Sequence, residues 1–337
     1  MKNKGLRILV GLFAVIAISS NCFASDLTDQ EVTPGAKKIY LEPQKSVLEK
    51  GEFKFLLGLS GGYDNNTYLD SRREGDAFFQ TFFKASFIAP FSEKTKGTFD
   101  YEMMNLIYGD ESDLDLIRNG IRLGMDHELS EELTFSPAFS FDSIEFLNTG
   151  TDDYLENELE LKLRHKLPNK MYHSLTYDLS YRNYAKRYTR TSATVDTDKE
   201  RNDMRNVVEY EIGKRFDKDL LKVSFQYFNN NSNENYLKYY DYDSYKIGGS
   251  LTHIFTNKIS GYVSFFRQFR DYRSRTLIND ASVTELEKTN LITTALFYNL
   301  NDAVSFGLSY TYRQNNSNEP ADKYSGSLIS LATYYKF

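Results

Sequence analysis

The chain has 337 residues, of which 41 are basic and 47 acidic, and its formal net charge is −6. This acidic balance argues against a nucleic-acid-binding protein, which needs a basic face, and a single cysteine excludes a disulfide framework. The mean hydropathy is −0.54. After residue 24, no run approaches the roughly 20 apolar residues that a transmembrane helix needs.

Residues 1–24 have the pattern of a secretory signal peptide. Basic residues come first, an apolar run over 8–18 follows, and small and polar residues lead to Ala24. The apolar run is too short to span a bilayer. Acylation of Cys22 is the alternative, although the residues before it fit a lipoprotein signal poorly. We predict cleavage after residue 24 and a mostly irregular periplasmic tail over 25–51.

Side chains alternate from Phe53 onward as a half-buried β-strand requires. In the clearest segment, Leu159, Leu161 and Leu163 alternate with glutamate and basic residues. About fourteen such segments follow one another, an even number, as in bacterial barrels. The segment at 259–270 is ambiguous, because two aromatic residues lie on its polar face.

The lengths of the connections also alternate along the chain. The short connections are 90–96, 127–133, 166–171, 215–220, 255–258 and 299–302. The long connections are 67–76, 109–115, 148–153, 188–203, 229–243, 273–286 and 315–323. Long extracellular loops that alternate with tight periplasmic turns are typical of transmembrane barrels. We therefore predict an all-β fold: an antiparallel up-and-down barrel of about 14 strands over 52–337, with both termini in the periplasm.

The last predicted strand places Ile329, Leu331, Tyr335 and Phe337 on one face. A terminal Phe after such a strand resembles the signal by which bacterial outer-membrane barrels are recognised for assembly. The resemblance implies the outer membrane of a Gram-negative bacterium as the location. It also implies three partners: the barrel-assembly machinery, outer-membrane lipid and lipopolysaccharide.

Charged residues fall on the face opposite the apolar one, and in a barrel that face lines the lumen. The pore-lining candidates are Asp100, Glu102, Arg118, Arg122, Glu158, Glu160, Lys162, Arg164, Arg182, Glu209 and Glu211. In one interpretation, they form a solute path whose charges set ion selectivity. In the other, opposite charges pair across strands and partly close the lumen.

Few residues have the pattern of a catalytic or metal site. The four histidines, His127, His165, His173 and His253, all lie at or beside short turns. Outer-membrane hydrolases, to which a catalytic barrel would be similar, carry His with Ser or Asp on the lipid-facing belt or at the extracellular rim. No Ser and His of this chain can be placed together there, so we predict no enzyme, no cofactor and no metal site. A tyrosine-rich stretch in the fifth long connection suits contact with sugar rings, and the alternative is an aromatic girdle. Its members are Tyr236, Tyr239, Tyr240 and Tyr242.

The segment 58–87 resembles the opening hairpin of outer-membrane barrels associated with exopolysaccharide production. The matching residues are Gly61, Gly62, Tyr63, Asp64, Asn66, Gly75 and Asp76. It also resembles the barrel half of surface-lipoprotein assembly modifiers, but 25–51 is too short for their helical-repeat domain. The first resemblance implies a passive conduit or component of envelope polysaccharide export, with polysaccharide as a partner. The alternatives are a general diffusion porin for small solutes and a closed structural or adhesive barrel that acts through its loops.

Overall fold

The computed structural model describes residues 51–150, 152–192 and 195–337. The predicted signal peptide and the predicted tail up to residue 50 lie outside the described residues. In the described part, fourteen antiparallel strands form one closed barrel in which each strand pairs with the next and β1 pairs with β14. The predicted fold class and strand number are confirmed. No helix of the described residues is long and apolar enough to cross a membrane.

The strands have between 13 and 20 residues. They are β1 (Glu52–Asp64), β2 (Asp76–Ser92), β3 (Thr95–Tyr108), β4 (Leu116–Glu128), β5 (Leu133–Phe146), β6 (Tyr154–Leu167), β7 (Met171–Arg190), β8 (Asp196–Arg215), β9 (Asp219–Ser232), β10 (Tyr242–Ile254), β11 (Ile259–Thr276), β12 (Thr284–Asn299), β13 (Val304–Ser317) and β14 (Tyr324–Lys336). Two 3₁₀ helices, Ser112–Leu114 and Pro320–Asp322, lie between strands.

The connections alternate in length, so that one end of the barrel carries the long loops and the other carries the turns and both ends of the strand series. We number the long loops L1 to L7: 65–75, 109–115, 147–153, 191–195, 233–241, 277–283 and 318–323. Several loops are shorter than the sequence predicted. Most of 188–203 is strand, because β7 and β8 pair beyond the length that a membrane span needs.

The two faces of each strand differ as a period of two requires. The exposed large apolar side chains lie on the outer face, as Leu159 and Leu163 do on β6. The ambiguous strand β11 is resolved by its register, in which Tyr262 pairs with Ala295 and Phe266 pairs with Leu291 on the inner face. Tyr272 is buried on the same inner face, whereas Val263, Phe265 and Phe269 are exposed on the outer face. This strand therefore carries aromatic residues on both faces.

The barrel closes where β1 meets β14. Phe337 accepts a backbone hydrogen bond from Phe55 (3.0 Å) and donates one to it (3.1 Å). Its ring stacks on Phe55 at 5.3 Å and on Tyr335 at 5.3 Å. The terminal residue therefore extends the hydrogen-bonded seam and caps it with an aromatic cluster.

Candidate functional site: the barrel lumen

A chain of ion pairs crosses the inner wall from β2 to β5. Lys84 Nζ lies 2.8 Å from Glu102 Oε1, and Arg118 contacts Glu102 at 3.7 Å and Asp142 at 2.7 Å. Asp100 accepts a hydrogen bond of 2.5 Å from the Ser86 hydroxyl. Each of these side chains is partly buried. The short pairs combine the attraction of opposite charges with directed hydrogen bonds.

Two further pairs continue this wall towards β7. Arg122 donates to Glu160 at 2.7 Å across the intervening strand β5, and Arg182 donates to Glu156 at 2.7 Å. A cavity of about 320 Å³ lies against these groups; the residues that line it include Asp100, Glu102, Arg118, Arg122, Glu158, Arg182 and Arg205. The predicted cross-strand pairing is therefore present for many of the charged residues, and polar space remains beside them.

Glu158 and Asp178 break this pattern of pairing. Within the described residues, neither makes an ion pair, and Oδ1 of Asp178 is buried without a hydrogen-bond partner. Carboxylate oxygens of Glu158, Glu160 and Asp178 lie within 4.8 Å of one another. Because only Glu160 is paired with an arginine, this stretch of the wall is locally acidic.

The remaining candidates lie nearer the turn end. Lys162 pairs in register with Thr176, and the Arg164 guanidinium lies 4.1 Å from the centre of the Tyr172 ring. Glu209 accepts a hydrogen bond from Gln226, and Glu211 accepts one of 2.8 Å from the Tyr172 hydroxyl. Every predicted charge is thus on the inner face, although they are distributed along the wall rather than gathered into one ring.

An apolar cluster fills the loop end of the lumen on the side of β14 and β2 to β7. We call it the mouth cluster; its buried members are Tyr68, Phe78, Phe82, Met104, Leu106, Tyr108, Leu114, Leu116, Ile144, Phe146, Tyr154, Tyr184 and Leu328. The side-chain pattern of the strands did not predict this cluster, because alternation in a barrel indicates a polar inner face. The available signal was local loss of alternation, as in the adjacent pairs Phe78–Phe79 and Leu106–Ile107.

Loop L1 folds inward and contributes to this closure. Leu69 is 1% exposed with a φ of +50°, a left-handed conformation that is strained for a leucine. Asn66 donates to the carbonyls of Asp70 (2.8 Å) and Ser325 (3.0 Å). These contacts hold L1 in a conformation that its own backbone disfavours.

Tyr68 joins L1 to L2. Its hydroxyl donates to Asp113 Oδ1 at 2.6 Å and also contacts Glu111. Burial raises the pKa of the Tyr68 hydroxyl well above its ordinary value, and the two carboxylates raise it further. The hydroxyl therefore stays a hydrogen-bond donor throughout the physiological range.

Buried arginines on tyrosine faces occupy the other side of the loop end. Arg201 is 0% exposed, pairs with Asp203 through two hydrogen bonds, and lies 3.3 Å from the centre of the Tyr240 ring. Arg270 pairs with Glu287 at 2.8 Å and lies 4.7 Å from the Tyr242 ring. Such stacking suits the planar guanidinium group.

The tyrosines predicted to contact sugar have arginine partners instead. Tyr240 and Tyr242 are buried, whereas Tyr236 and Tyr239 are partly buried. The Arg190 guanidinium lies 5.7 Å from the Tyr236 ring and 4.7 Å from the Tyr239 ring. Burial raises the pKa of the Tyr239 hydroxyl. These faces are thus engaged within the barrel.

The histidines lie on the outer wall near the turn end and pair across strands. His165 Nδ1 is 3.1 Å from His173 Nε2, His253 Nδ1 is 2.7 Å from Asp219, and His127 Nδ1 is 2.9 Å from the Thr95 hydroxyl. A second acidic group, Glu285, Glu287 and Asp322, is paired with Arg270 and Arg275. These arrangements are explained by local pairing.

The matching residues of the first hairpin have structural roles at the lumen mouth. Asp64 pairs with Arg313 from β13, and Asp76 accepts the backbone N–H groups of Asp110 (2.7 Å) and Glu111 (2.9 Å). A Cβ at Gly75 would lie 2.8 Å from the Asn65 Cα, so the tight turn of L1 requires glycine.

Comparisons with known proteins concern the fold. No family model matches the chain, and no curated protein matches it either. Among solved structures, outer-membrane expressed OmpT of Vibrio cholerae superposes with a TM-score of 0.53 at 10% identity, over 88% of this chain and 100% of that one. The outer membrane channel DcaP of Acinetobacter baumannii gives 0.52 at 9% identity, over 85% and 97%. The chain therefore has the fold of the bacterial outer-membrane β-barrels.

Proposed function

We propose that this protein is a passive conduit of the outer membrane for small polar solutes, with a preference for cations. The observation that carries the proposal is the locally acidic wall at Glu158 and Asp178, beside the 320 Å³ polar cavity. Carboxylates without cationic partners favour the entry of positive charge into a narrow aqueous space. Its structural neighbour DcaP is described as a channel, which supports the class of function.

The orientation that goes with this proposal places the loop end outside the cell. Both ends of the strand series, near Glu52 and Lys336, then lie in the periplasm. Long loops are exterior and turns are periplasmic in barrels of this type. Solute would enter from outside past L1 and the mouth cluster.

The mouth cluster implies that entry is restricted. Its members are buried, and L1 is hydrogen-bonded to L2 and to β14. A wide passage through the loop end of the lumen therefore requires L1 to move. The strained backbone of Leu69 makes the inward position of L1 dependent on those contacts. We therefore expect brief openings rather than a permanently open pore.

Envelope polysaccharide export is the second candidate. The observation that favours it is that the residues matching exopolysaccharide-associated barrels, Asp64, Asn66 and Asp76, lie together at one side of the mouth. A polymer would need the mouth cluster to be displaced along its whole depth. A closed barrel that acts through its loops is the third candidate.

Single-channel conductance in a planar bilayer tests the proposal, after heat-modifiable migration has verified folding. Discrete openings with a cation-selective reversal potential are expected, at low open probability. Shortening L1 between Asn66 and Glu74 should increase that probability. A folded barrel that stays silent with L1 shortened contradicts the conduit, and block by oligosaccharide but not by small sugars would favour export.

A further inference from the structure

A basic patch lies on the outer wall where β11, β12 and β13 leave the apolar band. Register places Arg267 beside Asn290 and Asn290 beside Gln314; in the next row outwards, Phe269 is beside Lys288 and Lys288 is beside Asn316. We call these six residues the outer basic patch. They present two cations, three amides and one exposed aromatic ring on adjacent strands.

The patch lies directly above apolar side chains. The row next to it, towards the turns, consists of Phe265, Ile292 and Tyr312, of which the first two are 46% and 40% exposed on the outer wall. Such side chains face hydrocarbon, so the patch lies where hydrocarbon gives way to headgroups.

Amides and tyrosine hydroxyls also pair on the outer wall of other strands. The Tyr101 hydroxyl donates to Asn119 at 3.0 Å, and the Tyr177 hydroxyl donates to Asn206 at 2.8 Å, both on the outer wall. Tyrosines at a membrane interface place the ring in the apolar region and the hydroxyl among polar groups. The patch differs from these positions because it carries charge.

Neither cation of the patch is neutralised by protein. Within the described chain, Arg267 and Lys288 have no ion pair, and Arg267 has only the Phe269 ring, at 5.0 Å. Asp271, the next outer residue of β11 after Phe269, makes no ion pair with either. Unpaired cations at a headgroup boundary attract the anionic groups of lipids.

From this geometry, we propose that the outer basic patch binds a phosphate group of outer-leaflet lipopolysaccharide. Arg267 can donate two parallel hydrogen bonds to phosphate oxygens, Lys288 supplies a second charge, and Asn290, Gln314 and Asn316 suit sugar hydroxyls. Phe265, Ile292 and Tyr312 continue the contact along the acyl chains. The inference is separate from the conduit and shares with it only the outward orientation of the loop end.

Native mass spectrometry of the detergent-refolded protein with deep-rough lipopolysaccharide tests the site. The Arg267→Gln/Lys288→Gln variant should bind at least ten-fold more weakly than wild type. The matched control is Lys218→Gln/Lys258→Gln, which removes two exposed cations in turns and should bind as wild type does. Lys288→Arg, which keeps the charge, should retain binding.

Three results would overturn the proposal. One is equal binding by the double variant and wild type, provided that both show the folded gel band. Another is equal binding of dephosphorylated lipopolysaccharide or of phosphatidylglycerol. The third is displacement by inorganic phosphate at equal concentration, which would identify a phosphate site rather than a lipid site.

Discussion

Arg313 on β13 pairs with Asp64 on β1 across the intervening last strand, β14, and both side chains are almost completely buried. The two residues are separated by 249 positions in the chain. The pair therefore fastens β1 to β13 at the loop end of the seam at which the barrel closes. Asp64 also accepts the backbone N–H of Asn66 at 3.0 Å, which ties the start of L1 to the same point.

Replacing Asp64 with Asn should strongly destabilise this closure. The change leaves the Arg313 charge buried without a counter-charge, and breaking such a pair costs about 3 to 5 kcal/mol. The measurement is the temperature at which the folded gel band converts to the unfolded one. Lys54→Gln, which removes an exposed partner of Glu52, is the control and should leave that temperature unchanged. Equal behaviour of the two variants would contradict the buried role of Asp64.

Removing the ring of Phe337 separates its two roles, as predicted assembly signal and as seam residue. Phe337→Ala keeps the backbone hydrogen bonds with Phe55 but loses two stackings, each worth about 0.5 to 1.5 kcal/mol. We expect moderately reduced stability after refolding in detergent and a much larger loss of assembled barrel in cells. A Tyr310→Ala variant, on the outer face of β13, is the control for aromatic loss alone. If the two variants lose equal stability in detergent and equal amounts of assembled barrel in cells, Phe337 has no special role as an assembly signal.

The contact between L1 and L2 should weaken at alkaline pH. Folding raises the pKa of Tyr68, so its stabilising contribution is complete below the ordinary value of about 10 and declines as the pH rises above it. Tyr68→Phe removes a hydrogen bond to carboxylates worth about 1.5 to 3 kcal/mol. The difference in unfolding midpoint between wild type and this variant should be largest near neutral pH and shrink above about pH 10. A difference independent of pH would contradict the role of the hydroxyl.

Replacing Glu158 and Glu160 with Gln should reduce the cation preference of the open conduit. Both line the locally acidic wall, and two fewer charges in a confined polar lumen should lower the cation-to-anion permeability ratio about two- to five-fold. The ratio is measured as a reversal potential under a salt gradient. Glu131→Gln/Asp302→Asn, in exposed turns, is the control. An unchanged ratio in the lumen variant would remove these residues from the solute path.

Arg201→Lys should destabilise the loop end although it keeps the charge. An ammonium group cannot reproduce the flat contact with Tyr184 and Tyr240 or the paired hydrogen bonds to Asp203. We expect a loss of about 2 to 4 kcal/mol in the free energy of unfolding, measured by urea titration. The control is Lys199→Gln, an exposed change on the same strand. An Arg201→Lys variant as stable as wild type would show that a positive charge at this position is enough to stabilise the loop end.

Local sequence determined where the fourteen strands lie and which face most of their side chains occupy, although it did not predict that β7 and β8 extend into 188–203. The alternation on β6 correctly placed Leu159 outside and Glu158 inside, because side-chain direction in a strand depends only on parity. The number of strands followed from the same period, and the alternating lengths of the connections supported it independently. The inner positions of the predicted charges could be read from the sequence for this reason.

Only the tertiary structure decided what fills the lumen. Whether Arg122 meets Glu160, whether Leu69 turns inward, and whether Arg313 finds Asp64 depend on contacts across strands and on how the barrel curves. Those contacts join residues far apart in the chain, and parity along one strand carries no information about them. The local pattern therefore determines the face of the strand on which a side chain lies. The mouth cluster and the buried arginines, by contrast, form only when the sheet closes into a barrel.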